Sequence, residues 1–320
     1  MSDDLGSGAA AASPRANVVA LGGGHGLAAS LTALRRLDVR LTGIVTVADN
    51  GGSSGRLRQE FGILPPGDLR MALAALCGDD EWGRTWADIL QHRFSGDGPL
   101  GGHALGNLLL ATTWDQLGDT VAGLALVGQL LRSRGHVLPM AAVPLDIEAD
   151  VDLDGSIVKV IGQAEVASTP GHVIEVRLTP NDPPACPEAV AAVDAADWVV
   201  IGPGSWFTSI MPTLLVPELR DALLRTSARR AIVLNLVDQP GETEGLTATD
   251  HLDVLATHAP DLRIDVVVAD SSVAHHPGLE AAARSLGADL VFADVSAGPG
   301  SDQHDPEALA AVFRPLVSRA

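Results

Sequence analysis

The sequence predicts an α/β fold: a Rossmann-like, doubly wound, mostly parallel sheet carrying a small antiparallel β insertion. Three observations support this. Asn17–Leu21 is a short apolar strand that runs through five loop residues into apolar positions at helical spacing, Leu27, Leu31 and Leu34. Further strand-length apolar runs alternate with helical patterns, as in successive βαβ units. Between about 137 and 180 the period switches to two, with Asp154-Gly155 as a hairpin turn.

The chain has 320 residues, 46% of them apolar, enough for a large core. Residues 1–16 are mainly Ser, Asp, Gly and Ala and read as a disordered tail before a single domain, 17–320. They show neither the basic start nor the apolar stretch of a signal peptide. No apolar run reaches the ~18–20 residues of a membrane span. Cys77 and Cys186 lack metal-type spacing, and without an export signal a disulfide is not expected. A cytoplasmic protein is therefore expected. A formal charge of −19 argues against a nucleic-acid partner. It leaves room for a small anion held by backbone N–H groups and a few arginines.

The first strand ends in Gly22, Gly23, Gly24, His25 and Gly26. Gly24-His-Gly26-Leu-Ala-Ala29 fits G-x-G-x-x-A, which places a helix N-terminus at a phosphate. His25 faces either ligand or solvent. Leu41–Val47 is the second strand. Asp49 beyond it falls where a dinucleotide fold places a ribose-binding acid. Asp49-Asn50-Gly51-Gly52-Ser53-Ser54-Gly55-Arg56 reads as a loop facing a nucleotide. Its glycines permit close backbone approach, its serines supply hydroxyls, and Arg56 supplies a planar cation.

Pro65-Pro66 stiffens the next segment, and a helix is expected over Leu69–Leu76. Asp68 reads as its N-cap or as a catalytic carboxylate. Arg70 is a cation in a first helical turn, a position that favours a neighbouring phosphate. Trp82–His92 is a helix, and one long helix is expected from Leu108 to about Arg132. Gly118, Gly123 and Gly128 mark close packing or a break in it. His103 and Asn107 share a helix face and could meet a sugar or base, or form a capping pair.

The insertion at about 137–180 would serve dimerisation or cover the site. A helix over Pro187–Ala195 leads to the buried strand Asp197–Ile201. A third glycine loop follows: Gly202, Pro203, Gly204, Ser205, Trp206, Phe207, Thr208 and Ser209. Its hydroxyls and free amides resemble a phosphate nest. Arg230–Val237 is a strand that includes Asn235, and Thr249 or Asp250 caps the next helix. Arg263–Ala269 and Asp289–Ala293 are further strands, and Pro306–Val317 is a closing helix. Asp270, His275 and His276 could be read as metal ligands, but adjacent histidines before Pro277-Gly278 favour a solvated loop.

In order, Gly22–Gly26, Thr46–Gly55, Leu64–Arg70, Gly106-Asn107, Gly202–Ser209 and Gln239–Thr243 with Asp250-His251 resemble the YvcK family, the gluconeogenesis factors. That family lies in the CofD-like superfamily, whose enzyme branch is the 2-phospho-L-lactate transferases. The resemblance covers about residues 17–315. It implies binding of a nucleotide-sugar such as UDP-N-acetylglucosamine, a link to cell shape and peptidoglycan precursor allocation on gluconeogenic carbon sources, and regulatory partners in cell-wall synthesis. Pyrophosphate would rest on Gly22–Gly26, helped by Ser53, Ser54 and Gly202–Ser205, with Thr208 and Ser209 alongside. Arg56 and Arg70 would neutralise charge, and His103, Asn107 and Asn235 would face sugar or base.

There are departures. The family usually reads Ala-Asp-Asp where this chain has Ala48-Asp49-Asn50. An amide cannot act as a base as a carboxylate would, which weighs against transfer chemistry. His25 replaces a common Thr, and Trp206-Phe207 a common Leu-Tyr. Two other readings stay open. One is a Mg²⁺-dependent transferase using Asp49 and Asp68. The other is an NAD(P) oxidoreductase, supported by G-x-G-x-x-A alone.

Overall fold

The computed structural model describes residues 15–239 and 242–318. The tail expected over 1–16 falls outside them except for its last two residues. In chain order the elements are β1 (Asn17–Gly22), α1 (Gly24–Leu34), β2 (Arg40–Val45), α2 (Gly52–Phe61), α3 (Pro66–Ala75), α4 (Glu81–Gln91), α5 (Leu105–Leu117), α6 (Thr120–Leu131) and β3 (His136–Pro139). There follow β4 (Asp146–Leu153), β5 (Ser156–Ile161), α7 (Gln163–Ser168), β6 (His172–Thr179), α8 (Pro187–Asp194) and β7 (Trp198–Ile201). A π-helical turn at Trp206–Ile210 leads into α9 (Met211–Leu215), α10 (Pro217–Arg225), β8 (Arg229–Val233) and α11 (Ala248–His258). The chain closes with β9 (Val266–Asp270), α12 (Leu279–Ser285), β10 (Asp289–Ala293) and α13 (Pro306–Val317).

Seven strands form one sheet in the order β10-β9-β8-β7-β1-β2-β3, and every pairing is parallel. The first strand lies inside the sheet, with β2 on one side and β7 on the other. Chain order reverses there, and doubly wound sheets bind ligands at the carboxyl ends of such strands. The strands are nearly continuous apolar runs because both faces are covered by helices. Trp198, Trp206, Phe207 and Phe313 are the bulkiest wholly buried side chains. No helix among the described residues is long and apolar enough to cross a membrane.

The structure departs from the sequence reading in several places. The stretch expected to be a loop from Asp49 to Arg56 turns into α2 at Gly52. Its glycines and serines hid the helix, whose propensity is low and whose formation rests on packing of Leu57 and of the buried serines. The expected long helix is broken at Gly118, which adopts φ +64°, and Asp119 caps α6 through the Ala122 N–H. β3 pairs in parallel with β2 and so belongs to the main sheet; the inserted sheet, β5-β4-β6, begins only at Asp146. Alternating polarity marks a strand without saying which sheet it joins. β8 stops at Val233, leaving Asn235 in a loop.

α3 begins at Pro66, so Asp68 sits in its first turn and is not its N-cap. Thr247, not Thr249 or Asp250, caps α11. It forms a reciprocal capping box with Asp250. Thr247→Ala should therefore cost about 1 kcal/mol of stability in denaturant unfolding. Thr249→Ala should cost clearly less, because that hydroxyl only donates to the Pro277 carbonyl at an exposed position.

Candidate functional site

The carboxyl ends of β1 and β7 meet so closely that only glycine fits between them. A Cβ on Gly26 would lie 2.1 Å from the Pro203 carbonyl oxygen. The first turn of α1 thus rests on the backbone of Gly202, Pro203 and Gly204. Ser30 fixes this contact by donating to the Gly202 carbonyl at 2.7 Å. Asn235 holds the third glycine loop from the other side. It accepts from the Gly204 N–H and donates to the Gly204 carbonyl, each at 2.9 Å. Its amide is therefore a strut for the loop, with both polar atoms engaged.

A buried cluster of polar side chains, called the chamber below, is packed on the β2 side of α1. A Cβ on Gly23 would lie 2.4 Å from Thr46 Cγ2, 2.6 Å from Asp68 Oδ2 and 3.1 Å from Ser209 Oγ. A Cβ on Gly67 would similarly meet Ser54 Oγ at 2.3 Å and Asp49 Oδ2 at 2.9 Å. The Asp49 carboxylate accepts from the Gly51 N–H at 2.8 Å. Asn107 donates to Ser53 Oγ at 3.0 Å, and Ser53 Oγ lies 3.0 Å from His103 Nδ1. Ser53 thus bridges Asn107 and His103, the tautomer of the ring deciding which of Ser53 Oγ and His103 Nδ1 donates. Burial, and then the charge of Arg56, lower the His103 pKa and favour the neutral ring. Arg56 is itself exposed and donates to the Gly101 carbonyl at 2.8 Å.

Arg70 is the unusual group. It is 4% exposed, its Nε has no hydrogen-bond partner, and it forms no salt bridge among the described residues. Its stem packs against Gly106, where a Cβ would lie 2.7 Å from Arg70 Cγ. Burial, and then the neighbouring Arg93, lower its pKa to about 10. Asp68 is pushed the other way, up to about 7, first by burial and then by the charge of Asp49. The Asn107 carbonyl oxygen and the Thr46 hydroxyl are also buried without partners. Several polar groups are thus held ready with nothing bonded to them, an expensive arrangement in an ordinary core.

Four helices start at this chamber: α1, α2, α3 and α5. None has an N-cap side chain bonded to its first turn, as is also true of α7, α8, α10 and α12. Asp68 is the only acid in the first turns of the four, and Asp49 accepts from the Gly51 N–H ahead of α2. By contrast α4, α6, α11 and α13 are capped by Asp80, Asp119, Thr247 and Asp305. Uncapped N-termini carry free N–H groups and partial positive charge. Four converging ends beside a buried arginine make an environment for an anion.

Two groups are used differently from the sequence reading. Ser205 and the amides behind it do not form an open phosphate nest. Glu242 fills it, accepting from the Phe207 N–H at 2.8 Å, the Thr208 N–H at 2.7 Å and Ser205 Oγ at 2.6 Å. Burial raises the pKa of Glu242. Asn50 turns away towards the insertion, donating to Glu165 Oε2 at 2.7 Å and accepting from the Ala164 N–H at 2.9 Å. Its amide holds α7 in place. Gln163 of the same helix reaches Thr208 Oγ1 at 3.4 Å, so α7 touches the loops after both β2 and β7.

His25 is exposed and, with Gly26, Pro203, Gly204 and Asn235, lines a cleft of about 890 Å³ beyond α1. Gln239, which opens the Gln239–Thr243 motif, also lines it, as do Asp238 and His304, which escaped the sequence reading. So did Thr46, Arg93 and Glu242 as site groups. Glu242 at least had a signal, since it lies in the Gln239–Thr243 motif. Asp270 accepts from the N–H groups of Ser272, Val295 and Ser296, which accounts for its carboxylate without a metal. Among the described residues no cluster of three or more His, Cys, Asp or Glu side chains is placed to hold a metal ion.

The raised pKa of Asp68 has a pH consequence. Between its ordinary value of 3.8 and about 7 the folded state holds a proton that the unfolded chain has lost. This contribution to stability is complete below pH 3.8 and disappears as pH rises through 7. Asp68→Asn should flatten that part of the stability–pH curve and make the protein relatively more stable at pH 8, as read by thermal unfolding across pH.

Comparison with known proteins agrees with this architecture. The model of the 2-phospho-L-lactate transferase CofD family matches residues 18–300. A Mycobacterium tuberculosis protein that carries the gluconeogenesis factor name is 54% identical over 310 residues, covering 94% of this chain and 90% of its own. The gluconeogenesis factor of Halalkalibacterium halodurans is 42% identical over 242 residues, covering 76% of this chain and 73% of its own. The crystal structure of a UPF0052 family member from Bacillus halodurans superposes with a TM-score of 0.83 at 34% identity, covering 94% of this chain and 99% of that one. The chain belongs to the CofD-like family, among the relatives named as gluconeogenesis factors.

Proposed function

We propose that this protein is a nucleotide-sugar sensor, binding a ligand of the UDP-N-acetylglucosamine kind and regulating how cell-wall precursors are allocated during gluconeogenic growth. The observation that carries the reading is Arg70, buried without a salt bridge among the described residues where four helix N-termini meet. A diphosphate would supply charge-assisted acceptors to the unbonded arginine and to N–H groups at the helix starts. Sugar or base would extend into the cleft beyond His25, past Gln239 and His304. The regulatory part of the reading is supported by α7, which contacts both ligand-side loops and belongs to the insertion.

A second reading, transfer chemistry, is favoured by one observation: a carboxyl with its pKa near 7 against the start of α1. Mg²⁺ would then be held by Asp49 and Asp68 together with ligand phosphates, stabilising the charge of the transferred group. Only two carboxylates are available there, and Asn50 adds none. Turnover of a deazaflavin alcohol with a nucleotide-activated phospholactyl donor, lost in Asp49→Asn, would establish this reading in place of the first.

Titration calorimetry with UDP-N-acetylglucosamine tests the binding proposal. Saturable binding is expected, and absence of heat up to ~1 mM, equivalent to only about −4 kcal/mol, would overturn it. Arg70→Met separates binding from folding. It should weaken binding at least tenfold while raising the melting temperature, because it removes a buried, incompletely hydrogen-bonded charge and keeps the packing against Gly106.

A further inference from the structure

We infer that the outer edge of the inserted sheet is a docking surface for another protein, which adds an extended basic and apolar segment as a fourth strand along β5. The sheet order β5-β4-β6 leaves the far side of β5 without a strand partner among the described residues. The inward residues Val158 and Val160 are half-buried, whereas Ile157 and Ile161 are 69% and 56% exposed. Ile174, on β6, is 47% exposed. Every isoleucine among the large exposed hydrophobic side chains of the described residues lies on this one small sheet. Three exposed β-branched residues, two of them on one edge strand, are an unexpected choice for a solvated surface.

The edge also lacks the usual defences. β5 contains no proline, and the irregularity in this sheet falls between β4 and β6, not on β5. Its one charged residue is Lys159, the only lysine of the chain. Lysines on edge strands normally project outward and repel approach. Lys159 instead lies across the sheet, with Nζ 2.8 Å from Glu148 Oε2. Its charge is answered within the sheet, and the backbone of β5 stays open to hydrogen bonding.

Charge selects the occupant. Residues 146–179 contain seven carboxylates against Lys159 and Arg177. A second copy would bring the same acidic sheet on a chain of formal charge −19, so pairing β5 with β5 would set like charges against each other. A segment alternating basic and apolar residues would instead lay its apolar side chains on Ile157 and Ile161 and its cations near the acidic row of β4. Backbone hydrogen bonds would supply the register, as in other strand additions.

The test uses the full-length protein and three nine-residue peptides: alternating Lys–Val, alternating Glu–Val, and Lys–Val with a central proline. Amide hydrogen exchange is followed along Ser156–Ile161. The Lys–Val peptide should slow exchange in β5 at least fivefold. The other two should have little effect, and Ile157→Ser with Ile161→Ser should abolish the protection while leaving the exchange of β4 unchanged. The inference is overturned if the Lys–Val peptide gives no protection, if the Glu–Val peptide protects equally, or if protection spreads evenly over the acidic surface. It is also overturned if β5 becomes protected with rising protein concentration alone, since the occupant would then be a second copy.

Discussion

The contact between Gly26 and the Pro203 carbonyl sets most of what lies around it. It brings the start of α1 onto the loop after β7 at a distance no other side chain would permit. With α1 fixed there, Gly23 can lie against Thr46, Asp68 and Ser209, and the first turns of α2, α3 and α5 can close on the same point. The energetic result is a trade. Backbone packing at the strand ends is tight, while the polar groups it gathers are left without full partners. Arg70, Asp68 and the Asn107 carbonyl oxygen each bear part of that imbalance. Natural proteins accept such conflict mainly where a ligand resolves it.

Much of the architecture was legible in the sequence because its signals are local. Strand, glycine turn and helix follow one another directly from Asn17 to Leu34, and the terminal helix Pro306–Val317 was bounded correctly by its own apolar spacing. The failures came where identity and environment pull apart. Gly52-Ser-Ser-Gly55 has poor helix propensity and yet is helical, because tertiary packing decides. β3 alternates like a solvated hairpin strand but is the edge of the main sheet. The same limit applies to the site. Residue type suggested that Asn50 and Ser205 would meet a ligand, but only geometry shows their hydrogen bonds directed to Glu165, Ala164 and Glu242.

The chain also separates its charges in a functional way. Its formal charge is strongly negative, yet Arg56, Arg70 and Arg93 gather around one chamber with His103. An acidic exterior repels polyanions such as nucleic acids at long range, whereas a small anion is screened over about 8–10 Å of approach and then meets arginines and helix N-termini at close range. Selection between a large and a small anion can thus begin before any contact is made. The inserted sheet reverses the logic, since its acidity favours a basic partner on its outer edge strand.

Glu242 has a consequence of its own. It is a tethered competitor, a carboxylate already seated on the amides of Phe207 and Thr208. Groups held together within one folded chain meet at millimolar effective concentration or above. A free anion at micromolar concentration would therefore lose those amides to Glu242 by mass action. The loop after β7 is in this way insulated from the phosphate and carboxylate metabolites of the surrounding solution. Recognition is thrown back onto Arg70 and the remaining amides of the helix starts, where Asp49 and Asp68 engage only the Gly51 and Gly24 N–H groups.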